Sequence, residues 1–168
     1  MNAPIRRYGA SNFYILGFPC NQFGLQEPGH NDEILKGLKY VRPGHCFEPK
    51  FHMMAKVDVN GPEEDPLFTH LKSKCPPTDK IVSDPKKLFW EPIKANDIAW
   101  NFEKFLISRE GKVRYRFHAD TEIKEILPFV DQLVQEPRPK ELPPSDLQMS
   151  IENGLYDFAR YNTDVVCH

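Results

Sequence analysis

The sequence predicts an α/β domain, and three observations carry that expectation. Phe13-Tyr14-Ile15-Leu16-Gly17-Phe18 is an unbroken apolar run stopped by Pro19. It reads as a strand buried on both faces, as in parallel or mixed sheets. Phe102–Ile107 and Lys112–Phe117 are two strand-like segments around Arg109-Glu110-Gly111, the pattern of a hairpin. Segments with helical spacing separate and follow these strands. At 168 residues and 40% hydrophobic content the chain has material for one domain with a core. Sixteen prolines, about twice average usage, argue against a long helical bundle.

The elements follow in order. Cys20–Gly29 holds Gly24, Pro28 and Gly29 and reads as a loop. Asn31 is placed to cap a helix with Asp32 and Glu33 in its first turn. Ile34, Leu35 and Leu38 share a face of that helix, and Pro43-Gly44 ends it. Lys56–Val59 reads as a short strand before a turn at Asn60-Gly61. Asp65-Pro66 opens a second helix, Asp as cap and Pro at the first helical position, with Leu67, Phe68 and Leu71 as its stripe. Residues 76–99 read as a long ordered loop, of the kind used for function or contacts. Val113, Tyr115 and Phe117 alternate with Lys112, Arg114 and Arg116, which predicts one wet face for the second hairpin strand. Ile123, Ile126, Leu127, Val130 and Val134 fall at helical spacing, and Pro128 predicts that this helix is kinked or starts late.

After Glu136, Pro137, Pro139, Pro143 and Pro144 mark a stiff linker. Ser145 and Gln148 form a capping-box pattern before Leu147, Ile151 and Leu155, a short terminal helix. The expected organisation is a domain over 1–136 and a Pro-rich linker with a short tail over 137–168. A buried parallel-type strand needs parallel neighbours, and only twelve residues precede it. The arithmetic therefore predicts an α/β domain truncated at its N-terminus.

Several function classes are excluded. A net charge of -2 argues against a general nucleic-acid binder. Phe13–Cys20 is far too short to span a bilayer. Cys20, Cys46, Cys75 and Cys167 contain no C-x-x-C, and the six histidines show no metal-ligand spacing, so a metal site is not expected. Cys46 and Cys75 are left as a candidate disulfide, with a free Cys75 as the alternative. The basic N-terminus lacks an apolar run directly behind it, so the residues given are not expected to form a signal peptide.

Chemistry concentrates in two places. Phe18–Gly29 sets amide side chains directly after the end of the apolar strand, where open α/β sheets bind ligands. Trp100-Asn101 puts an indole donor beside an amide just before the hairpin. Such neutral donors can stabilise a developing anion.

These segments resemble the glutathione peroxidase family, in register over roughly 120 of the 168 residues, from Ile15 to Leu133. The residues that carry the resemblance are Leu16-Gly17-Phe18-Pro19-Cys20-Asn21-Gln22-Phe23-Gly24 with Gln26-Glu27-Pro28-Gly29, and Leu38-Lys39-Tyr40-Val41-Arg42-Pro43-Gly44. Asp58-Val59-Asn60-Gly61, Cys75-Pro76-Pro77-Thr78, Leu88-Phe89-Trp90-Glu91-Pro92 and Trp100-Asn101-Phe102-Glu103-Lys104-Phe105-Leu106 complete the set. The resemblance implies a thioredoxin-like fold and reduction of hydrogen peroxide or organic hydroperoxides, with glutathione as co-substrate and no bound cofactor. By motif position Gln22, Trp100 and Asn101 are the implied catalytic residues, supporting a selenocysteine or cysteine. Arg42 and Arg116 are the implied contacts to glutathione's carboxylates, with Arg114 competing with Arg116 because a one-residue slip swaps faces.

The sequence departs from the family at the nucleophile. That residue follows an Asn-Val-Ala-Ser segment which has no counterpart here, and no residue in 1–12 is Cys. Cys20 belongs to the signature loop instead. The expectation is a peroxidase truncated at its N-terminus and inactive as written, as when a selenocysteine codon is read as a stop. The alternative is a non-catalytic subunit, or interaction partner, of full-length peroxidases. Cys75 to Asp97 resembles the assembly loop of the tetrameric, plasma-type branch. A homotetramer and secretion are therefore implied for the intact protein, with a cytoplasmic chain as the alternative. No nucleic-acid partner and no membrane span are expected.

Overall fold

The computed structural model describes residues 2–9, 12–78 and 84–137. The expected linker and terminal helix beyond 137 lie outside the described residues. The chain runs α1 (Asn2–Tyr8), β1 (Leu16–Gly17), α2 (Asn31–Lys36) extended by a π-turn (Gly37–Val41), and β2 (His52–Met53). Next come α3 (Pro66–Lys74), a 3₁₀ turn (Pro85–Lys87), β3 (Lys104–Ile107), β4 (Val113–Phe117) and α4 (Ile123–Gln135). β1 pairs in parallel with β2, and β3 pairs antiparallel with β4 with an irregularity at Leu106/Ile107.

The predicted α/β character and the hairpin are present, and Asp65 caps α3 by accepting from the Leu67 N–H at 2.9 Å. α1 had no sequence signal. It docks through tertiary contacts: the Tyr8 hydroxyl donates to Asp131 at 2.8 Å and Arg7 pairs with the same carboxylate at 2.9 Å. The run at 13–18 is a strand only at Leu16–Gly17, and its parallel neighbour lies downstream, not upstream. It is not buried on both faces, since Tyr14 is 65% exposed. Gly17 permits the pairing, because a Cβ there would lie 2.8 Å from the Phe51 ring.

Three further expectations are corrected. The strand of that region is His52–Met53 rather than Lys56–Val59. The reason is that the Lys56, Val59 and Asn60 N–H groups go to side-chain acceptors, Asn31 and Gln22, instead of to a neighbouring strand. Asn31 thereby serves Lys56, and His30 stands at the cap of α2, its N–H bonded to Glu33 at 2.7 Å. Of the two outcomes expected at Pro128, the late start is not seen: α4 begins five residues ahead of it, with Glu122 and Glu125 closing its first turn. Of the two alternatives left open for Cys75, the free thiol holds, and Cys46 is disulfide-bonded without it.

The core gathers Phe23, Val59, Phe68, Leu71, Leu88, Trp90 and Ile98. Ile126, Val130 and Leu133 bury the inner face of α4. The 76–99 loop is thus structural as well as connecting, since Leu88, Trp90 and Ile98 are core residues. The expected wet face of β4 fails at Arg116. Its side chain is 2% exposed and paired with Glu103, itself 1% exposed. Glu103 also accepts from the Ala99 N–H at 3.1 Å, so the ion pair sits inside a hydrogen-bonded frame that makes burial tolerable.

Candidate active site

The loop after β1 is pinned from three sides. The Gln22 carbonyl accepts from the Phe89 N–H at 3.0 Å, and the Gly24 N–H donates to Lys87 at 2.7 Å, around a bridge between Phe23 and Leu88. Asn21 accepts from the Glu27 N–H at 3.0 Å and closes the loop on itself. Phe23 packs on Trp90 and Trp100, with ring centroids at 5.4 and 5.8 Å.

Gln22 is 5% exposed. Its Nε2 donates to the Asn60 carbonyl at 2.8 Å, and its Oε1 accepts from the Val59 and Asn60 N–H groups at 3.0 and 3.1 Å. In this arrangement the Gln22 amide is a strut inside the protein, with donor and acceptor both engaged. The Cys20 thiol donates to the same Oε1 at 3.5 Å. Burial pushes the Cys20 thiol pKa up, partly offset by the Gln22 and Val59 backbone N–H groups. A thiol held protonated in this way is a poor nucleophile, because the thiolate is the reactive form.

Trp100 and Asn101 reach the loop from the other side. Asn101 donates through Nδ2 to Gln26 Oε1 at 2.8 Å, and the Trp100 ring packs on Phe23 at a 57° tilt. The structure therefore brings Trp100 and Asn101 onto the loop that carries Gln22, from positions nearly 80 residues away, through Phe23 and Gln26. The two arginines behave differently. Arg42 is exposed beyond the π-turn, anchored by its backbone N–H to Gly37 at 2.9 Å. Arg116 is internal. Besides Glu103 it donates to Asn96 Oδ1 at 2.8 Å and to the Asp97 carbonyl at 3.0 Å. Its guanidinium faces the segment leading into Trp100, and its fork is occupied there. Arg114 pairs with Glu136 at 3.0 Å.

A buried polar cluster under the loop escaped the sequence reading. Lys72 Nζ donates to Val59 O at 3.0 Å and Asn60 Oδ1 at 3.1 Å, and pairs with Glu64 and with Asp97 at 3.3 Å. Trp90 Nε1 donates to Asp97 at 2.8 Å. The available signal was Lys72 itself: it falls four residues after Phe68 and beside Leu71, on the apolar stripe of α3. Among the described residues, no cluster of three His, Cys, Asp or Glu side chains could hold a metal, and no helix is long and apolar enough to cross a membrane.

Comparison with known proteins places the chain among relatives of one family. A family model described as glutathione peroxidase matches residues 1–72. The cuticular glutathione peroxidase of Wuchereria bancrofti is 49% identical over 126 residues, 73% of this chain and 56% of the relative. Glutathione peroxidase 3 of Rattus norvegicus is 50% identical over 126 residues, 75% of this chain and 56% of the relative. The crystal structure of Trgpx in apo form superposes with a TM-score of 0.53 at 30% identity, covering 82% of this chain and 67% of that one. The chain thus spans little more than half the length of these curated relatives. The shared α/β fold is the thioredoxin-like one, and the loop carrying Gln22 lies inside the matched residues. With sequence and backbone in agreement, the chain belongs to the glutathione peroxidase family.

Proposed function

We propose that this chain is the greater part of a peroxide reductase that uses two glutathione thiols to convert a hydroperoxide to an alcohol and water. The observation that carries the reading is the meeting of Trp100 and Asn101 with the 20–26 loop. In such a reaction a selenolate or thiolate attacks the O–O bond and takes one oxygen as a selenenic or sulfenic acid, while the leaving oxygen takes a proton and departs as the alcohol. The two glutathione thiols then remove the bound oxygen as water and leave as the disulfide. A neutral indole and amide at the site stabilise the attacking selenolate or thiolate without protonating it. Arg42, being exposed, is the arginine suited to a glutathione carboxylate, while Arg116 acts from inside by holding the 96–99 segment. Gln22 takes part by fixing the loop, and reaches a nucleophile only if its amide turns outward.

This chain alone is expected not to turn over peroxide. The one thiol of the loop, Cys20, is half-buried and held protonated. Neutral donors cannot replace a nucleophile. The same observation supports the second reading, a non-catalytic subunit that joins longer copies through the 75–97 segment. Secretion and a homotetramer go with the plasma-type resemblance of that segment. Size-exclusion of a mixture with a full-length peroxidase, and assay of the culture medium against the cell lysate, test these points.

The decisive assay is peroxide consumption with glutathione and a recycling reductase. The chain itself should match the thiol blank, and turnover abolished by Cys20→Ser would sink the inactivity proposal. A variant extended ahead of Met1 by a segment bearing the family's nucleophile should turn over. In it Trp100→Phe should lower the rate about 100–1,000-fold. An unchanged rate would remove Trp100 from the chemistry.

A further inference from the structure

We infer that Asn60 is a positioning residue that clamps the Gln22 loop to the segment carrying Trp100 and Asn101. The inference rests on reading those groups as the peroxidase site. Asn60 is 1% exposed and lies 38 residues from both Gln22 and Ile98. Its backbone faces one way: the N–H donates to Gln22 Oε1 at 3.1 Å, and the carbonyl accepts from Gln22 Nε2 at 2.8 Å. Its side chain faces the other: Nδ2 donates to the Ile98 carbonyl at 3.0 Å, and Oδ1 accepts from the Ile98 N–H at 2.9 Å. One residue thus makes two paired bridges, each of the double form found between neighbouring strands. Ile98 lies two residues before Trp100, so the second bridge sets where the indole enters the site.

The side-chain chemistry is specific. Lys72 Nζ donates to Asn60 Oδ1 at 3.1 Å, which fixes the amide with its oxygen toward the ammonium and its NH₂ toward Ile98. Asp would lose the donor to the Ile98 carbonyl. Ser would fall short of one partner, and Gln would overfill a site with almost no free surface. Gly61 belongs to the same design: its φ is +87°, and a Cβ there would meet Trp90 Cβ at 3.1 Å. The turn at 60–61 therefore holds its shape under the core ring that Asp97 anchors.

Two measurements on the chain as it exists test the clamp without relying on turnover, so failure of the peroxidase reading leaves their outcome legible. Native-state hydrogen exchange reads the Val59, Asn60 and Ile98 amides, all bonded to side-chain acceptors in the clamp. If one unit holds them, their protection factors agree within about tenfold. A wider spread overturns the clamp. The second measurement uses Asn60→Ala, folded by circular dichroism, with fluorotryptophan NMR and peptide-resolved alkylation of Cys20. The Trp100 resonance, assigned through Trp100→Phe, should move, and Cys20 should alkylate about tenfold faster or more. A role in stability alone would lower the melting temperature and leave both readouts unchanged, which overturns the inference. If Asn60→Ala fails to fold, the exchange data decide.

Discussion

The buried cluster around Asn60 and the β1–β2 edge are held by opposite means. Around Asn60, Gln22, Lys72, Asp97, Glu103 and Arg116 are buried polar groups that answer one another. At the edge, two strands of two residues each pair along one side, and Tyr14 stands 65% exposed. The first region is fixed by directional bonds, each costly to leave unmade. The second is held by a few backbone bonds and partial apolar burial, neither of which sets an angle sharply. The site loop leaves β1 at this weakly held edge and acquires its geometry where it meets the cluster.

The contrast is open to substitution, and the largest effect should come from Arg116→Ala. It leaves the Glu103 carboxylate buried without its partner, a loss of about 3–5 kcal/mol. Urea unfolding would show it, and a change below about 1 kcal/mol would mean that Glu103 finds water. Replacing both partners, Arg116→Met with Glu103→Leu, should recover most of the loss, because no charge is then stranded. Gln22→Ala follows, at about 2–4 kcal/mol, since two N–H groups and one carbonyl of Val59 and Asn60 lose their partners.

Cys20 gives a smaller effect that depends on pH. Burial raises its thiol pKa in the folded protein above the ordinary value it has when unfolded. The stability from keeping it neutral is complete below the ordinary thiol range and falls as pH rises through that range toward the folded pKa. Unfolding free energy should therefore decline on the alkaline side, and Cys20→Ala should flatten part of that decline. A slope unchanged in Cys20→Ala would assign it to other groups, such as Tyr8, whose hydroxyl pKa is also raised by burial and by Asp131. Smallest of all is Tyr14→Lys at the edge, expected within about 0.5 kcal/mol of the parent because the ring is mostly in water. A larger loss would show the edge to be packed more firmly than its exposure implies.

The sequence by itself determined the α/β class, the α3 cap at Asp65, the hairpin and the family, because each rests on local pattern or motif. It also named Gln22, Trp100 and Asn101; Trp100 and Asn101 meet Phe23 and Gln26 of the loop that carries Gln22, whose own amide is turned to Val59 and Asn60. What it could not decide was which polar groups face inward. Arg116 alternates with apolar residues and so reads as wet, yet Glu103 and the 96–97 carbonyls draw it inside. Lys56–Val59 reads as a strand, yet Gln22 and Asn31 take the backbone donors that would have paired. α1 carries no periodic signal and is placed by Asp131, more than 120 residues away. Periodicity records how often a side chain meets the core. A buried hydrogen bond depends on two groups distant in sequence arriving at 3 Å with the right direction, and only the folded chain brings them there.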